Sequence, residues 1–516
     1  MLSIPRSALA VSPILLAGLL VIPAAAAPAP AGPPEVTNHC VASVPETDPL
    51  EAGPVKICYT LYRPAAATKR SPVPLVFHSH GWGGKRTNSA TAFGSWLTAG
   101  FGVLSFDQRG FGESGGKAHV ENPDFEGADV IALIDQVAKL DWVRKQGRND
   151  PVIGAIGGSY GGGYQFVGAF TEMMKTGRTR FDALAPEITW WDLRESLAPQ
   201  DVARSAWTSA LYAAGADAHT VTVHQGLAYG VATGQWPGGA PAPVDLNAFF
   251  LKNGPAWHVS QGRQLDIPVA FGQGITDNLF PLDQGLKNYD RALTPRARAK
   301  SLFIGYNGGH ALPSAVPPGF GVAGDPCSKI IARDPKAGFG DVALRFMQAN
   351  LKGMRTGLTG HGAYHLATAD GACASTRSVA PTKKVELATI ATTQAAGAPL
   401  AYELAAGPLR IAGMPSLSGT LTTVGADARA FFALSVGTSS ADAKVVQNNT
   451  LPLRQLLPVT GEKRTIELPS VAVDVPAGQK LFLTVSPVAD MFALHGSRTP
   501  GALTLEKAFV SLPIAR

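Results

Sequence analysis

Short apolar runs alternate with helical stretches over the first two thirds of the chain. Strands that alternate with helices in this way predict right-handed βαβ units and a mostly parallel sheet. A pair of short strands within 41–64 is expected at an antiparallel edge of that sheet. The predicted strands are Leu75–Phe77, Gly102–Phe106, Val152–Ile156, Phe181–Ala185, Ile267–Phe271 and Leu302–Ile304, and the predicted helices lie near 90–97, 126–142, 160–174 and 341–351.

The alternation stops for some eighty residues before Ile267. The stretch 188–264 carries five of the eight tryptophans and is interpreted as an inserted helical cap. A cap between two core strands overhangs the carboxyl edge of the sheet, where such sheets bind ligands. We therefore predict an α/β unit over 40–355 that includes this cap.

Tryptophans of the cap are candidate substrate contacts. Trp190, Trp191 and Trp207 are the three we select, and together with the others they suggest an apolar-walled pocket. Any one of them could instead fill the core of the cap, because tryptophan is usually largely buried.

The pattern of hydrophobic and polar residues changes at about residue 385. Helical periodicity disappears, and short alternating runs such as 419–423, 430–435, 471–475 and 480–485 are separated by Gly, Pro, Asp and Ser. This pattern predicts an antiparallel β-sandwich over 385–516.

Composition narrows the class of protein. With 516 residues, 45% of them hydrophobic and 16% charged, the chain is expected to fold into two or three compact units. The net charge of +6 is spread along the chain and forms no basic stripe, so no nucleic-acid partner is expected.

The first residues are typical of an export signal. Arg6 precedes an apolar run from Ala8 to Ile22, and small residues before Ala27 offer a cleavage site. We predict a signal peptide over 1–26 and a secreted protein, extracellular or periplasmic, with no membrane span after cleavage. An uncleaved anchor is the alternative, but the apolar run is shorter than the ~20 residues that a bilayer needs.

Export favours disulfides for the four cysteines. Proximity in sequence suggests Cys40 with Cys58 and Cys327 with Cys373, although four cysteines allow three pairings. A metal site is the rival interpretation. No C-x-x-C pair or histidine cluster supports it, so we expect no metal and no cofactor.

A G-x-S-x-G sequence stands directly between a predicted strand and a predicted helix. Glycines around Ser159 allow the sharp turn that presents a serine hydroxyl above a sheet. Serine needs a base and an orienting acid, and in hydrolases of this topology the acid and then the histidine follow it in the chain.

The loops after the later strands supply both groups. Asp277 follows the strand at 267–271 and is the predicted acid, with Asp283 in the next helix as the alternative. His310 lies in a glycine-rich loop after the strand at 302–304 and is the predicted base. Ser159, Asp277 and His310 are therefore the candidate catalytic residues.

Stabilisation of an oxyanion requires two hydrogen-bond donors. The backbone N–H of Tyr160 is one, and the N–H of Trp82, in the glycine-rich loop His80–Gly84, is the predicted second. His80 could itself be catalytic, but beside a tight glycine turn a structural hydrogen-bonding role is the better interpretation.

Several of these segments together resemble the Xaa-Pro dipeptidyl-peptidase-like group of α/β-hydrolases, which includes cocaine esterase. They are Asp107–Gly115, Leu140–Val143, the elbow around Ser159, Pro186–Leu193, and the loops at Thr276-Asp277 and Gly309-His310. The resemblance implies an α/β-hydrolase fold, a C-terminal jelly-roll-like sandwich and the same triad.

Two departures from that group bear on specificity. Family members often supply an oxyanion-hole tyrosine from the loop where this chain has His80-Gly81-Trp82. The cap is short, and we match in it no acidic residue for the amino terminus of a peptide.

The sequence thus predicts a secreted serine hydrolase acting on a small-molecule or peptide acyl substrate, either as an acyl esterase or as an Xaa-Pro dipeptidyl-peptidase-like enzyme. The alternative is a non-catalytic protein that binds a surface or glycan through its C-terminal sandwich.

Overall fold

The computed structural model describes residues 32–310, 325–393, 398–497 and 501–515. The predicted signal peptide, 1–26, lies outside these described residues. Among the helices within them, none is both long enough and apolar enough to cross a membrane.

Strands of the N-terminal part are β1 (Glu35–Glu46), β2 (Gly53–Arg63), β3 (Leu75–Ser79), β4 (Gly102–Phe106), β5 (Lys145–Gly147), β6 (Asp150–Pro151), β7 (Ile153–Gly158), β8 (Phe181–Glu187), β9 (Ala270–Gly274), β10 (Leu302–Tyr306), β11 (Tyr364–Ala367) and β12 (Cys373–Thr376). Ten of them form one sheet in the order β1-β2-β4-β3-β7-β8-β9-β10-β11-β12. The strands from β4 to β11 in that order are parallel. β1 and β2 form the predicted antiparallel edge.

The helices are α1 (Gly94–Thr98), α2 (Glu126–Val137), α3 (Tyr160–Thr176), α4 (Leu193–Leu197), α5 (Ser205–Gly215), α6 (Val221–Thr233), α7 (Leu246–Phe250), α8 (Pro255–Ser260), α9 (Leu282–Arg291), α10 (Pro295–Arg298), α11 (Pro326–Ala332) and α12 (Phe339–Lys352). Helices α4 to α8 lie between β8 and β9, in the stretch interpreted as the cap. The apolar faces of α2, α3, α9 and α12 contribute to the buried core around the sheet.

Helix α2 ends earlier than its sequence pattern predicts. It stops at Val137 instead of continuing to Trp142. The chain beyond it is held extended beside the sheet, because the Val73 N–H donates to the Trp142 carbonyl and the Arg144 N–H donates to the Val73 carbonyl. Hydrogen bonds to another segment therefore outweigh the local helical periodicity.

The sheet extends past the predicted boundary at residue 355. β11 adds to it in parallel with β10, and β12 forms an antiparallel edge. A disulfide between Cys327 and Cys373 joins the first turn of α11 to β12, and a second between Cys40 and Cys58 joins β1 to β2. Both are the pairings that proximity in sequence suggested.

The C-terminal part is all β, as predicted, with strands β13 (Lys383–Glu386), β14 (Ile390–Thr393), β15 (Leu400–Ala406), β16 (Leu409–Gly413), β17 (Ser416–Val424), β18 (Ala428–Gly437), β19 (Lys444–Val445), β20 (Leu451–Gln455), β21 (Glu462–Glu467), β22 (Val471–Val475), β23 (Lys480–Ser486), β24 (Ala502–Leu512) and β25 (Ile514–Ala515). They form three antiparallel sheets around β17, β18 and β16. Alternate side chains such as Leu503 and Leu505 of β24 fill a separate core, which is the arrangement expected of a sandwich.

A polar cluster fastens this sandwich to the cap. The Asp427 carboxylate accepts hydrogen bonds from the guanidinium groups of Arg429 and Arg454, each at 2.7 Å in its shortest contact. Both arginines also donate to the side-chain oxygen of Gln235, which follows α6. The sandwich is thus hydrogen-bonded directly to the cap at this point.

Candidate active site

Ser159 stands at a strained turn between β7 and α3. Its backbone has φ 56° and ψ −122°, in a region that side chains other than glycine rarely occupy. Neighbouring glycines are required there: a Cβ on Gly161 would come 2.4 Å from the Ser79 carbonyl oxygen, and one on Gly157 would come 2.5 Å from the Gly161 oxygen. The strain and the crowding are those of a nucleophile elbow.

The structure brings together the three residues that the sequence selects as catalytic. His310 Nε2 lies 3.1 Å from Ser159 Oγ, and His310 Nδ1 lies 2.7 Å from Asp277 Oδ2. Residues from the ends of β7, β9 and β10 therefore meet at one edge of the sheet. This arrangement can accept a proton from the serine hydroxyl and stabilise the resulting imidazolium.

The loop around Asp277 fixes its carboxylate. The side chain is fully buried, and its Oδ1 accepts the backbone N–H groups of Leu279 at 2.9 Å and Phe280 at 3.0 Å. Gly309 is required beside it, because a Cβ there would come 2.7 Å from the Asp277 Cβ. Oδ2 is thereby directed at His310.

His310 is mostly buried, with 17% of its side chain exposed. Burial opposes protonation, but the adjacent Asp277 carboxylate and the more distant Glu187 outweigh it and raise the pKa of His310. Glu187 is itself held by the Tyr306 hydroxyl, which donates to it at 2.6 Å. The carboxylates thus make the imidazole a stronger base than a free histidine.

Trp82 and Tyr160 both line the cavity beside Ser159. A Cβ on Gly81, which precedes Trp82, would be in contact with the Ser159 Cβ at 4.0 Å. The rings of Trp82 and Tyr160 pack edge to face at 5.0 Å, and the Trp82 indole donates to the Leu211 carbonyl of α5. The cap therefore helps to hold the loop that carries the second predicted oxyanion donor.

His80 has both ring nitrogens engaged in structural hydrogen bonds. Nδ1 lies 2.8 Å from the Gly81 carbonyl oxygen, and Nε2 accepts the Gln108 N–H at 3.1 Å. Burial lowers the pKa of its imidazole. These contacts favour the structural interpretation of His80 and leave His310 as the histidine that faces Ser159.

The turn at 107–114 is hydrogen-bonded to the loop His80–Gly84, because the Gln108 side chain donates to the His80 carbonyl at 3.3 Å. Asp107 accepts the backbone N–H groups of Arg86 at 2.5 Å and Glu113 at 2.9 Å. Arg109 is fully buried and donates two hydrogen bonds to Asp129 of α2, at 2.7 and 2.9 Å. The residues of this turn thus hold a glycine-rich bend in place.

The three selected tryptophans have different surroundings. Trp190 lines the large cavity beside Ser159. Trp207 packs edge-on against the His310 ring at 5.4 Å and donates to the Asn278 side chain, whereas Trp191 is buried in the core of the sheet. Trp207 and Trp191 are not among the described residues that line the cavity, since their rings are used for support and packing.

The cavity beside Ser159 has a volume of about 330 Å³. Its lining residues come from the cap, from the loops around Ser159 and from the sandwich. Most of these residues are leucine, valine, alanine, glycine or aromatic. None of the described side chains that line it is Asp, Glu, Lys or Arg. The site is suited to an uncharged, apolar group.

Sequence reasoning missed the contribution of the sandwich. Ala493, Leu494 and His495 line the cavity, and the buried Asn449 side chain donates to the Ile275 carbonyl at 3.0 Å, two residues before Asp277. Phe280 was also missed, although its position three residues after Asp277 is a usable signal. No local pattern marks the sandwich residues, which lie far away in sequence.

Comparison with known proteins identifies related sequences. Residues 53–311 match the family model described as X-Pro dipeptidyl-peptidase (S15 family). Two curated proteins of Escherichia coli, both described as an uncharacterized 31.7 kDa protein in the traX-finO intergenic region, are each 36% identical over 97 and 94 residues, or 19% and 18% of this chain. The matched segment spans about a third of the length of either relative, 32% and 31%.

Solved structures share the fold over nearly the whole chain. An aminopeptidase from a marine sediment Thaumarchaeota archaeon has a TM-score of 0.64 at 14% identity, with 93% of this chain and 96% of that chain covered. An α-amino acid ester hydrolase has a TM-score of 0.61 at 13% identity, with the same coverage. A CocE/NonD family hydrolase from Staphylococcus aureus has a TM-score of 0.58 at 13% identity, covering 93% and 94%. The predicted fold, an α/β-hydrolase with a C-terminal β-sandwich, is confirmed.

Proposed function

This chain belongs to the X-Pro dipeptidyl-peptidase (S15) family, and from that premise we propose that it is a serine hydrolase that cleaves carboxylic esters through an acyl-enzyme on Ser159. The observation that carries the proposal is the hydrogen-bonded chain from Ser159 through His310 to Asp277. Each member has the partner that its role requires, and the acid is anchored by two further hydrogen bonds.

In the first half of the proposed reaction, Ser159 Oγ forms a bond to the substrate carbonyl carbon while its proton passes to His310 Nε2. Asp277 stabilises the imidazolium that results. The negative charge on the carbonyl oxygen is held by the N–H groups of Tyr160 and Trp82. The loss of one such donor typically costs about 10²-fold to 10³-fold in rate.

The second half releases the products. His310 returns its proton to the leaving alcohol as the carbon–oxygen bond breaks, and the acyl group remains on Ser159. Water then attacks the acyl carbon with His310 as base, and collapse of the intermediate releases the carboxylic acid and restores the serine hydroxyl.

The walls of the cavity favour esters over peptides with a free amino terminus. A dipeptidyl peptidase has to hold the ammonium group of its substrate, and a buried cation requires a carboxylate partner. The cavity presents no such carboxylate among its described lining residues. An ester with an uncharged acyl group meets no comparable penalty.

Hydrolysis of p-nitrophenyl esters and of X-Pro-p-nitroanilides, each by the wild type and by Ser159→Ala, tests this proposal. We expect ester cleavage that is lost in the variant, with much weaker cleavage of the anilides. Strong X-Pro cleavage beside negligible esterase activity would overturn the preference for esters. An inactive wild type on both substrate classes would favour the alternative of a non-catalytic binding protein.

We also propose that the protein is exported. Support comes from the signal-like first residues and from the two disulfides, since disulfides persist in oxidising compartments. Mass spectrometry of the mature protein tests this: we expect a chain that begins near Ala27, and an uncleaved, reduced protein in the cytoplasm would contradict it.

A further inference from the structure

We propose that the cavity beside Ser159 binds an uncharged, extended apolar acyl chain, with the glycine-lined face of α6 as one wall and Leu494 of the sandwich at its rim. This inference rests on the proposed function, because it names the acyl group that the acyl-enzyme carries. It also assigns a role in substrate selection to the C-terminal sandwich.

The surroundings of Ser159 put the cavity on the acyl side of the reacting bond. Tyr160 and Trp82, which carry the proposed oxyanion donors, line the cavity together with Ser159, whereas His310 is not among its described lining residues. A leaving oxygen has to face the base that protonates it. The alcohol therefore departs past His310, and the cavity is left for the acyl chain.

The residues that line the cavity disfavour a charged acyl group and favour an acyl group with more methylene units. A charged acyl group would lose its hydration without gaining an ionic partner. Each methylene buried from water contributes enough free energy to raise kcat/KM about fourfold. The cavity volume of about 330 Å³ leaves room for a chain well beyond an acetyl group.

Glycines on α6 keep this volume open. Gly226 and Gly230 line the cavity at four-residue spacing, which puts them on one face of the helix, and Gly234, directly after the helix, also lines it. A Cβ on Gly226 would meet Leu246 at 3.0 Å, so that position is already packed. A Cβ on Gly230 would meet a single atom within 4 Å, the Gln235 carbonyl oxygen at 3.5 Å, so a larger side chain at 230 would extend into the open space.

Leu494 occupies an unfavourable position at the rim. It is 91% exposed and its φ is 65°, so it combines a conformation disfavoured for leucine with loss of burial. Its neighbour Ala493 is fixed to the cap, because the Ser205 hydroxyl donates to the Ala493 carbonyl at 2.8 Å. Val231 of α6, 77% exposed, also lines the cavity. A bound chain would cover both aliphatic side chains.

The test measures kcat/KM for p-nitrophenyl acetate, butanoate, hexanoate and octanoate with the full chain. Because the leaving group is constant, the ratio of octanoate to acetate reports the acyl site alone. We expect kcat/KM to rise about fourfold per methylene until the cavity is filled. An aminoacyl ester of similar length, which carries a positive charge, should be cleaved at least about tenfold more slowly than the hexanoate.

Two variants locate the site. Gly230→Leu should lower the octanoate-to-acetate ratio about tenfold or more, and Ala228→Leu, at an exposed position of the same helix, is its matched control. Leu494→Ala should lower the ratio about threefold. Leu457→Ala, which removes another exposed leucine elsewhere on the sandwich, should leave the ratio unchanged.

The outcomes separate this inference from the proposed function. Hydrolysis of the acetate that depends on Ser159 would leave the esterase proposal standing. Together with that result, a flat chain-length profile would overturn the acyl-chain site. The site would also be overturned if the octanoate-to-acetate ratio were unchanged in both Gly230→Leu and Leu494→Ala. Absence of hydrolysis of every ester would instead defeat the proposed function. If Gly230→Leu does not fold, the Leu494→Ala ratio decides alone.

Discussion

Replacement of Asp277 by asparagine tests the proton relay at the carboxylate whose orientation is fixed by backbone hydrogen bonds. Asp277 Oδ1 already accepts two backbone N–H groups, from Leu279 and Phe280. In Asp277→Asn the amide oxygen takes over those contacts, so the amide NH₂ has to face His310 Nδ1, where Oδ2 stood. Nδ1 then becomes an acceptor, and the single proton of the neutral imidazole moves to Nε2.

The magnitude follows from this change of tautomer. A protonated Nε2 cannot accept the proton of Ser159, and the comparable change in a serine protease lowers kcat about 10⁴-fold. That factor corresponds to about 5 kcal/mol of lost transition-state stabilisation. KM should change little, because Asp277 is not among the described residues that line the cavity.

Steady-state hydrolysis of p-nitrophenyl butanoate by the purified variant measures the effect. Asp283→Asn is the matched control: Asp283 is the other carboxylate that the sequence offers, and it lies in α9 beside Lys287 at 3.3 Å, away from the relay. The control should keep kcat within a few fold. A kcat for Asp277→Asn above about a tenth of wild type, or greater damage from Asp283→Asn, would refute the assignment of the acid.

Three other predictions follow from the surroundings of the site. His310 has to be neutral to act as a base, and its pKa is raised. The fall of kcat/KM on the acid side of its pH profile should therefore have its midpoint above 6.5, the ordinary pKa of histidine. A midpoint below 6.5 would contradict the geometry. Asn449→Ala should lower kcat about tenfold, because the buried Ile275 carbonyl before the acid loses its donor; an unchanged kcat would show that the sandwich does not support the acid. Burial opposes ionisation of Asp427, but its arginine partners outweigh burial and lower its pKa to about 2, so the stability it contributes is present above pH 3.8 and lost as pH falls through 2. Asp427→Asn should therefore cost about 3 kcal/mol at pH 7, measured by urea unfolding, and much less at pH 2, whereas an equal cost at both would contradict this.

Local sequence signals were sufficient to select the three residues that meet at the candidate site and to predict a mostly parallel sheet with an antiparallel edge. Ser159 is fixed by glycines on both sides, and Asp277 and His310 each follow a buried strand, so chain order alone placed them at one edge. The end of α2 could not be predicted from local signals, because the Trp142 carbonyl accepts a hydrogen bond from Val73, which belongs to a distant segment of the chain.

Contacts between segments that are distant in sequence could not be predicted either. Leu494 lies more than three hundred residues after Ser159, and its place at the cavity depends on how the sandwich docks on the cap. The same is true of Asn449, whose amide reaches the loop of the acid. Trp191 illustrates the opposite error, since a tryptophan in the cap region packs into the sheet core and not into the cavity.

The most direct test of the central claim is to label the proposed nucleophile covalently. The wild-type protein is treated with a fluorophosphonate, digested and analysed by mass spectrometry. We predict one stoichiometric adduct on the peptide that contains Ser159, no adduct in Ser159→Ala, and labelling slowed by several orders of magnitude in His310→Ala. An adduct on another residue, or equal labelling of Ser159→Ala, would contradict the account.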